Sequence, residues 1–155
     1  MQIFIAADHA GFELKRELKE YLKTAGYTVN DEGFFELNSE DDYPDVVAIV
    51  AKQVASNPEE YRGIIIGGSG EGEAICANRV RGVRAAVLYS YQEDIIRLSR
   101  LHNNANVLSL GARFISSDDA KRAVTLWLST DFSREERHVR RIQKLDSSLS
   151  KENEF

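Results

Sequence analysis

The sequence predicts an α/β fold: a single Rossmann-like, doubly wound domain with a five-stranded parallel sheet and helices on both faces. Three observations carry this. Apolar runs of strand length alternate with segments of helical periodicity. The runs are continuously apolar instead of alternating, as strands covered on both faces require. A glycine-rich turn, Gly67-Gly-Ser-Gly-Glu-Gly-Glu73, joins one of them to a helix, and such junctions are ready-made anion sites.

The elements follow in order. Residues 2–7 read as a buried strand, and residues 12–25 as a helix with Leu14, Leu18, Tyr21, Leu22 and Ala25 at core spacing, stopped by Gly26. A short strand is expected at 27–29. The polar loop 30–42 that follows is unusually long for a compact domain unless it covers a site. Pro44 opens the next helix, whose buried face is Val46, Val47, Val50 and Val54. The third strand is 63–66, and a helix-like segment, 74–80, follows the glycine turn. The fourth strand is 83–88, a helix lies near 92–101, and the fifth strand is 106–110. Ser116 signals a helix N-cap ahead of Ala120, Ala123, Val124, Trp127 and Leu128. A last helix near 134–149 carries Val139, Ile142, Leu145 and Leu149.

At 155 residues and 43% hydrophobic content, the chain suits one domain with a substantial core. No apolar run approaches the ~20 residues of a membrane-spanning helix, so no membrane partner is expected. The formal charge of -5 argues against a nucleic-acid partner. Basic residues nevertheless cluster at Arg134, Arg137, Arg140, Arg141 and Lys144, which suits a small anion. With a single cysteine, Cys76, and a first strand starting at residue 2, the protein is expected to be cytoplasmic. Cys76 reads as a buried structural thiol.

The glycine turn departs from both common nucleotide signatures. A dinucleotide fingerprint would place glycine where Glu73 stands, and a P-loop needs Gly-Lys-Ser/Thr. Glu73 would repel a phosphate bound at the turn. Either it complements the helix macrodipole, or it is a general base beside an oxyanion hole. In an open α/β sheet ligands sit at the carboxyl ends of the strands, so Asp8-His9 and the glycine turn should face one crevice.

Four motifs stand in order: Asp8-His9-Ala-Gly11, the turn from Gly67 to Glu73, Leu101-His-Asn-Asn-Ala-Asn-Val107, and Arg137-His-Val-Arg-Arg141. Together they resemble the type B ribose-5-phosphate isomerase family of sugar-phosphate isomerases, over residues 2 to about 145. The resemblance implies a sugar-phosphate isomerase domain at 1–146 with a C-terminal tail at 147–155. It also implies an aldose-ketose isomerisation through an enediolate, with no metal and no cofactor, on ribose 5-phosphate or another small sugar phosphate. Many members carry a cysteine base at the position matching Gly67. A second group has Gly-Gly-Ser-Gly in the turn and a glutamate base placed as Glu73 is, and this sequence resembles that group.

By the same resemblance, Ser69 and the amides of Gly70 and Gly72 hold the oxyanion and Gly68 is a further substrate-binding residue, although Ser69 could simply shape the turn. His102 matches the histidine that opens the sugar ring, its bland alternative being a helix C-terminal cap. Asn103 and Asp8 match groups that hold sugar hydroxyls or the enediolate, and Asp8 could equally be an N-cap. Arg113, Arg137 and Arg141 match phosphate ligands, with His9 a further donor; guanidinium forks suit phosphate oxygens. Arg137 and Arg141 lie one helical turn apart, and the alternative for them is a solvated basic face. Tyr43 matches a pocket-lining position. Family members are homodimers or dimers of dimers with a shared crevice, so a monomer should hold no complete site.

Overall fold

The computed structural model describes residues 1–148. Leu149 and the remainder of the expected tail lie outside the described residues. The elements are β1 (Gln2–Ala7), a 3-10 turn (His9–Gly11), α1 (Phe12–Thr24), β2 (Thr28–Asp31), α2 (Tyr43–Ser56), β3 (Tyr61–Gly67), α3 (Glu71–Ala77), β4 (Ala85–Leu88), α4 (Glu93–Leu101), β5 (Val107–Gly111), α5 (Ser117–Ser129) and α6 (Glu136–Ser148). All four strand pairings are parallel, in the order β2-β1-β3-β5-β4.

That order explains how the helices distribute. From β1 the chain steps outward to β2, then crosses back over β1 to β3, and right-handed crossovers place the connecting helices α1 and α2 on opposite faces. Two apolar layers result. Leu14, Leu18, Ile96, Val124 and Trp127 of α1, α4 and α5 pack on one face. Val47, Val50, Val54 and Ala77 of α2 and α3 pack on the other. The reversal of direction beside β1 opens a crevice between the carboxyl ends of β1 and β3.

Several boundaries differ from the sequence reading. The second strand is 28–31, later than expected, because Ile3 and Ile5 of β1 pair with Val29 and Asp31 and extend it. The fourth strand begins at Ala85, since Arg84 is taken up by Asn106, which accepts from its backbone N–H at 2.8 Å. α3 begins at Glu71, three residues earlier than its apolar pattern suggested, so Glu73 sits in its first turn. α6 begins at Glu136, two residues later than expected. Cys76 is only partly buried, at the margin of the α2–α3 layer. Among the described residues, no helix is long and apolar enough to cross a membrane.

Candidate active site

The carboxyl ends of β1, β3 and β5 assemble one cluster. Asp8 follows β1; its backbone N–H donates to the Ile66 carbonyl of β3 at 3.1 Å, and its carboxylate accepts from the Gly11 N–H at 3.0 Å. Asp8 thus caps the short 3-10 turn and not α1, whose N-cap is Gly11. A Cβ at Gly11 would stand 2.6 Å from the Ile66 carbonyl oxygen, so only glycine lets the β1 turn approach β3 this closely.

The turn after β3 is packed as tightly. Gly70 has φ +78, the left-handed region that glycine enters without strain, and Ser109 of β5 donates to its carbonyl at 2.6 Å. Ala112 and Arg113 donate their N–H groups to the Gly67 and Gly68 carbonyls at 2.8 and 3.1 Å. These bonds fix the turn against β5, and the first N–H groups of the following helix have no acceptors within it. Ser69 accepts from the Glu71 N–H at 3.3 Å, so it does shape the turn, and its O–H proton is left to donate.

Glu73 is 3% exposed. Its carboxylate folds back over β3 into the space that a side chain at position 67 would occupy: a Cβ there would lie 2.0 Å from Oε1 and 2.4 Å from Oε2. Gly67 and Glu73 therefore form one feature. Burial pushes the Glu73 carboxyl above the ordinary range; a bond from its own N–H opposes this and the charge on Asp8 adds to it. A carboxylate raised in this way is a better proton acceptor than an exposed one.

Tyr43, the first residue of α2, places its hydroxyl 2.7 Å from where a Cβ at Gly72 would be, so it closes over the start of α3. Arg113 is exposed and lays its guanidinium over Gly68, 3.2 Å from the same kind of point. His9 sits at the rim, its Nδ1 2.9 Å from Asp41 Oδ1. Asp41 comes from the long loop before α2 and was not singled out from the sequence; the loop's acidity was the only signal.

His102, Asn103, Arg137 and Arg141 are elsewhere. α4 runs antiparallel to the strands, so His102, its C-cap, lies at the amino edge of the sheet. The five residues of β5 separate that edge from the glycine turn, about 16 Å at ~3.3 Å per residue. Buried arginines fix this edge: Arg100 donates to the Thr130 and Ala105 carbonyls and to Asn104 Oδ1, and Arg84 to the Asn104 carbonyl. Burial, with Arg62 and Arg84 beside it, lowers Arg100 to about 10. His102 stacks on the buried ring of His138, centroids 4.2 Å apart and planes 15° from parallel. The sequence left His138 unassigned. On α6, Arg137 and Arg141 are exposed; Arg137 Nε donates to Glu135 at 2.9 Å, and Arg141 makes no ion pair among the described residues.

The candidate residues thus fall into two groups. One, at the carboxyl edge of the sheet, holds Glu73, the glycine turn and Arg113; the other, at the far edge, holds His102, Asn103, Arg137 and Arg141. Among the described residues, no group of three or more His, Cys, Asp or Glu side chains could hold a metal ion.

Residues 3–145 match the model of the Ribose/Galactose Isomerase family. The chain is 39% identical over 145 residues to ribose-5-phosphate isomerase B of Mycobacterium leprae, covering 94% of this chain and 88% of that protein. It is 42% identical over 143 residues to a probable ribose-5-phosphate isomerase B of Mycoplasma genitalium, covering 92% of each. Among solved structures, ribose-5-phosphate isomerase B from Mycoplasma genitalium with bound ribulose-5-phosphate superimposes with a TM-score of 0.92 at 40% identity, covering 97% of both chains. The Clostridium thermocellum enzyme gives 0.90 at 42%, covering 97% of this chain and 99% of that one. With the motifs in order and the match spanning nearly its whole length, the chain belongs to the Ribose/Galactose Isomerase family.

Proposed function

We propose that the chain is an aldose-ketose isomerase that interconverts ribose 5-phosphate and ribulose 5-phosphate through an enediolate, with no metal or other cofactor. The observation that carries the reading is the buried Glu73 carboxylate seated in the side-chain space of Gly67, in the first turn of the helix that follows the glycine turn. It places a base of raised pKa next to a site for developing negative charge. The solved relative holding ribulose-5-phosphate supports the choice of sugar.

In this mechanism Glu73 takes the proton from C2 of the aldose and returns it to C1. The amides of Gly68, Gly70 and Gly72 and the Ser69 hydroxyl carry the charge that gathers on oxygen meanwhile. Asp8 and Tyr43 hold sugar hydroxyls, and Arg113 and His9 meet the phosphate.

The second half-site then comes from another copy. In a homodimer, or a dimer of dimers, His102 of the partner subunit opens the ring. Asn103 of the partner subunit bonds the sugar, while Arg137 and Arg141 of the partner subunit complete the phosphate clamp. The separation of the half-sites within one chain supports this arrangement, because two-fold symmetry makes two complete sites from two split ones. We place this dimer in the cytoplasm and its reaction in the pentose phosphate pathway.

Co-expression tests the reading. Glu73→Gln and His102→Asn homodimers should each be nearly inactive on ribose 5-phosphate. In a mixed dimer both lesions fall in one site and leave the other intact, so statistical mixing should recover about one quarter of wild-type turnover. Wild-type protein that fails to convert ribose 5-phosphate would sink the activity, and mixtures that recover nothing would sink the shared site.

A further inference from the structure

Asp41 carries a buried, half-satisfied carboxylate. Its side chain is 2% exposed, yet it sits in a polar surface loop. Oδ1 bonds the His9 ring, while Oδ2 is buried with no hydrogen-bond partner. A buried carboxylate with an orphaned oxygen is costly to keep. Among the described residues, the side chain that offsets it is the His9 imidazole.

Anchoring the loop does not account for this pair, because the loop is anchored elsewhere. Lys15, 3% exposed, donates from Nζ to Asp31 Oδ1 at 2.9 Å, to the Gly33 carbonyl at 2.9 Å and to the Phe34 carbonyl at 2.6 Å. The backbone N–H of Asp41 itself donates to the Asn38 carbonyl at 3.3 Å. Lys15 thus anchors the loop at Gly33 and Phe34 without using a carboxylate at position 41, and the Asp41 N–H closes a turn within the loop.

Resting on the isomerase reading above, we infer that Asp41 is a positioning residue for His9: it holds the imidazole by Nδ1, so that Nε2 faces the crevice as a proton donor to the substrate phosphate. In neutral histidine with Nδ1–H bound to a carboxylate, Nε2 carries a lone pair and would repel a phosphate oxygen. In the imidazolium both nitrogens donate. The charged groups facing His9 are Asp41 and Asp8, which favour the imidazolium, and Arg113, which opposes it; together with the bond to Asp41 they hold His9 above its ordinary 6.5. The carboxylate at 41 thus extends upward the pH range over which the histidine and Arg113 serve one anion side by side.

Titration of His9 by NMR tests this on the purified protein, the signal being assigned by its loss in His9→Asn among only three histidines. Wild-type His9 should titrate above 6.5, and Asp41→Asn, which keeps the size and an acceptor oxygen, should lower it by about one unit or more. Inorganic phosphate should shift the wild-type Nε2 signal at pH 7 and have a much weaker effect in Asp41→Asn.

In turnover, the pH at which KM for ribose 5-phosphate begins to rise should be lower in Asp41→Asn than in the wild type, with kcat unchanged, and in a His9→Asn background Asp41→Asn should add nothing. Wild-type His9 titrating at or below 6.5 overturns the inference, as does an Asp41→Asn effect that persists without His9. Because the titration needs no turnover, a protein that titrates as expected but leaves ribose 5-phosphate unchanged sinks the isomerase reading and not the pair.

Discussion

Substituting Gly67 by alanine isolates the link between the glycine turn and the carboxylate of Glu73. Gly67 ends β3 with ordinary backbone angles, so the methyl group introduces no backbone strain. It meets the carboxylate instead. Oε1 would have to move from 2.0 Å to the 3.4 Å at which ordinary contact begins, a displacement of about 1.4 Å. Misplacing a catalytic group by ~1 Å costs on the order of 10²-fold, and losing a general base altogether roughly 10²- to 10⁴-fold. Turnover at saturating ribose 5-phosphate should therefore fall by about 10²-fold or more, equivalent to at least ~2.7 kcal/mol of barrier. Overpacking should cost about 1–3 kcal/mol of stability, a drop in melting temperature of roughly 3–10 °C for a domain of this size. The double variant Gly67→Ala/Glu73→Ala removes the obstruction along with the base, so it should recover the melting temperature and none of the turnover. Near-normal kcat and unchanged melting in Gly67→Ala would refute the reasoning, since the carboxylate would then not need the space described.

Two other outcomes are expected. Glu73→Gln should cut turnover by roughly 10²- to 10⁴-fold and, at neutral pH, make the protein more stable than wild type. The sign follows from the folded carboxyl being raised: above the ordinary value of 4.5 the unfolded chain has given up the proton while the folded one retains it, so the wild type loses stability as pH rises from there. Melting curves of the two proteins should converge near pH 4 and separate by pH 7; no separation would place Glu73 in a solvated setting. Replacing Arg137 or Arg141 by alanine should raise KM for ribose 5-phosphate several-fold with little change in kcat, because exposed guanidiniums that meet a phosphate contribute to uniform binding. An unchanged KM in steady-state assays would leave both on a solvated face.

Much of the fold was legible because its signals are local. Continuous apolar runs such as Ile64-Ile65-Ile66, the spacing of Leu14, Leu18 and Leu22, and the Ser116 cap each state their element within a few residues. Boundaries moved where a distant partner decided them: Asp31 joined β2 through its pairing with β1, and Arg84 was withdrawn from β4 by Asn106. The start of α3 moved because glycines mask helical periodicity, and the turn's bonds to β5 and the 112–113 segment are invisible in sequence.

The sequence by itself determined the class of the protein, the order of its strands and helices along the chain, and the residue types that suit an anion and a proton transfer. Those follow from backbone preference, side-chain chemistry and ordered motifs. Only the tertiary structure decided which of these residues meet. The order β2-β1-β3-β5-β4 brings Asp8, Glu73 and Arg113 to one end of the sheet and leaves His102, Asn103, Arg137 and Arg141 at the other. It also placed Glu73 in the vacant side-chain space of Gly67 and Asp41 beneath His9. The physical reason is that close packing and burial depend on elements far apart in the chain. A carboxylate's proton affinity is set by what surrounds it in space, and no spacing along the sequence encodes that.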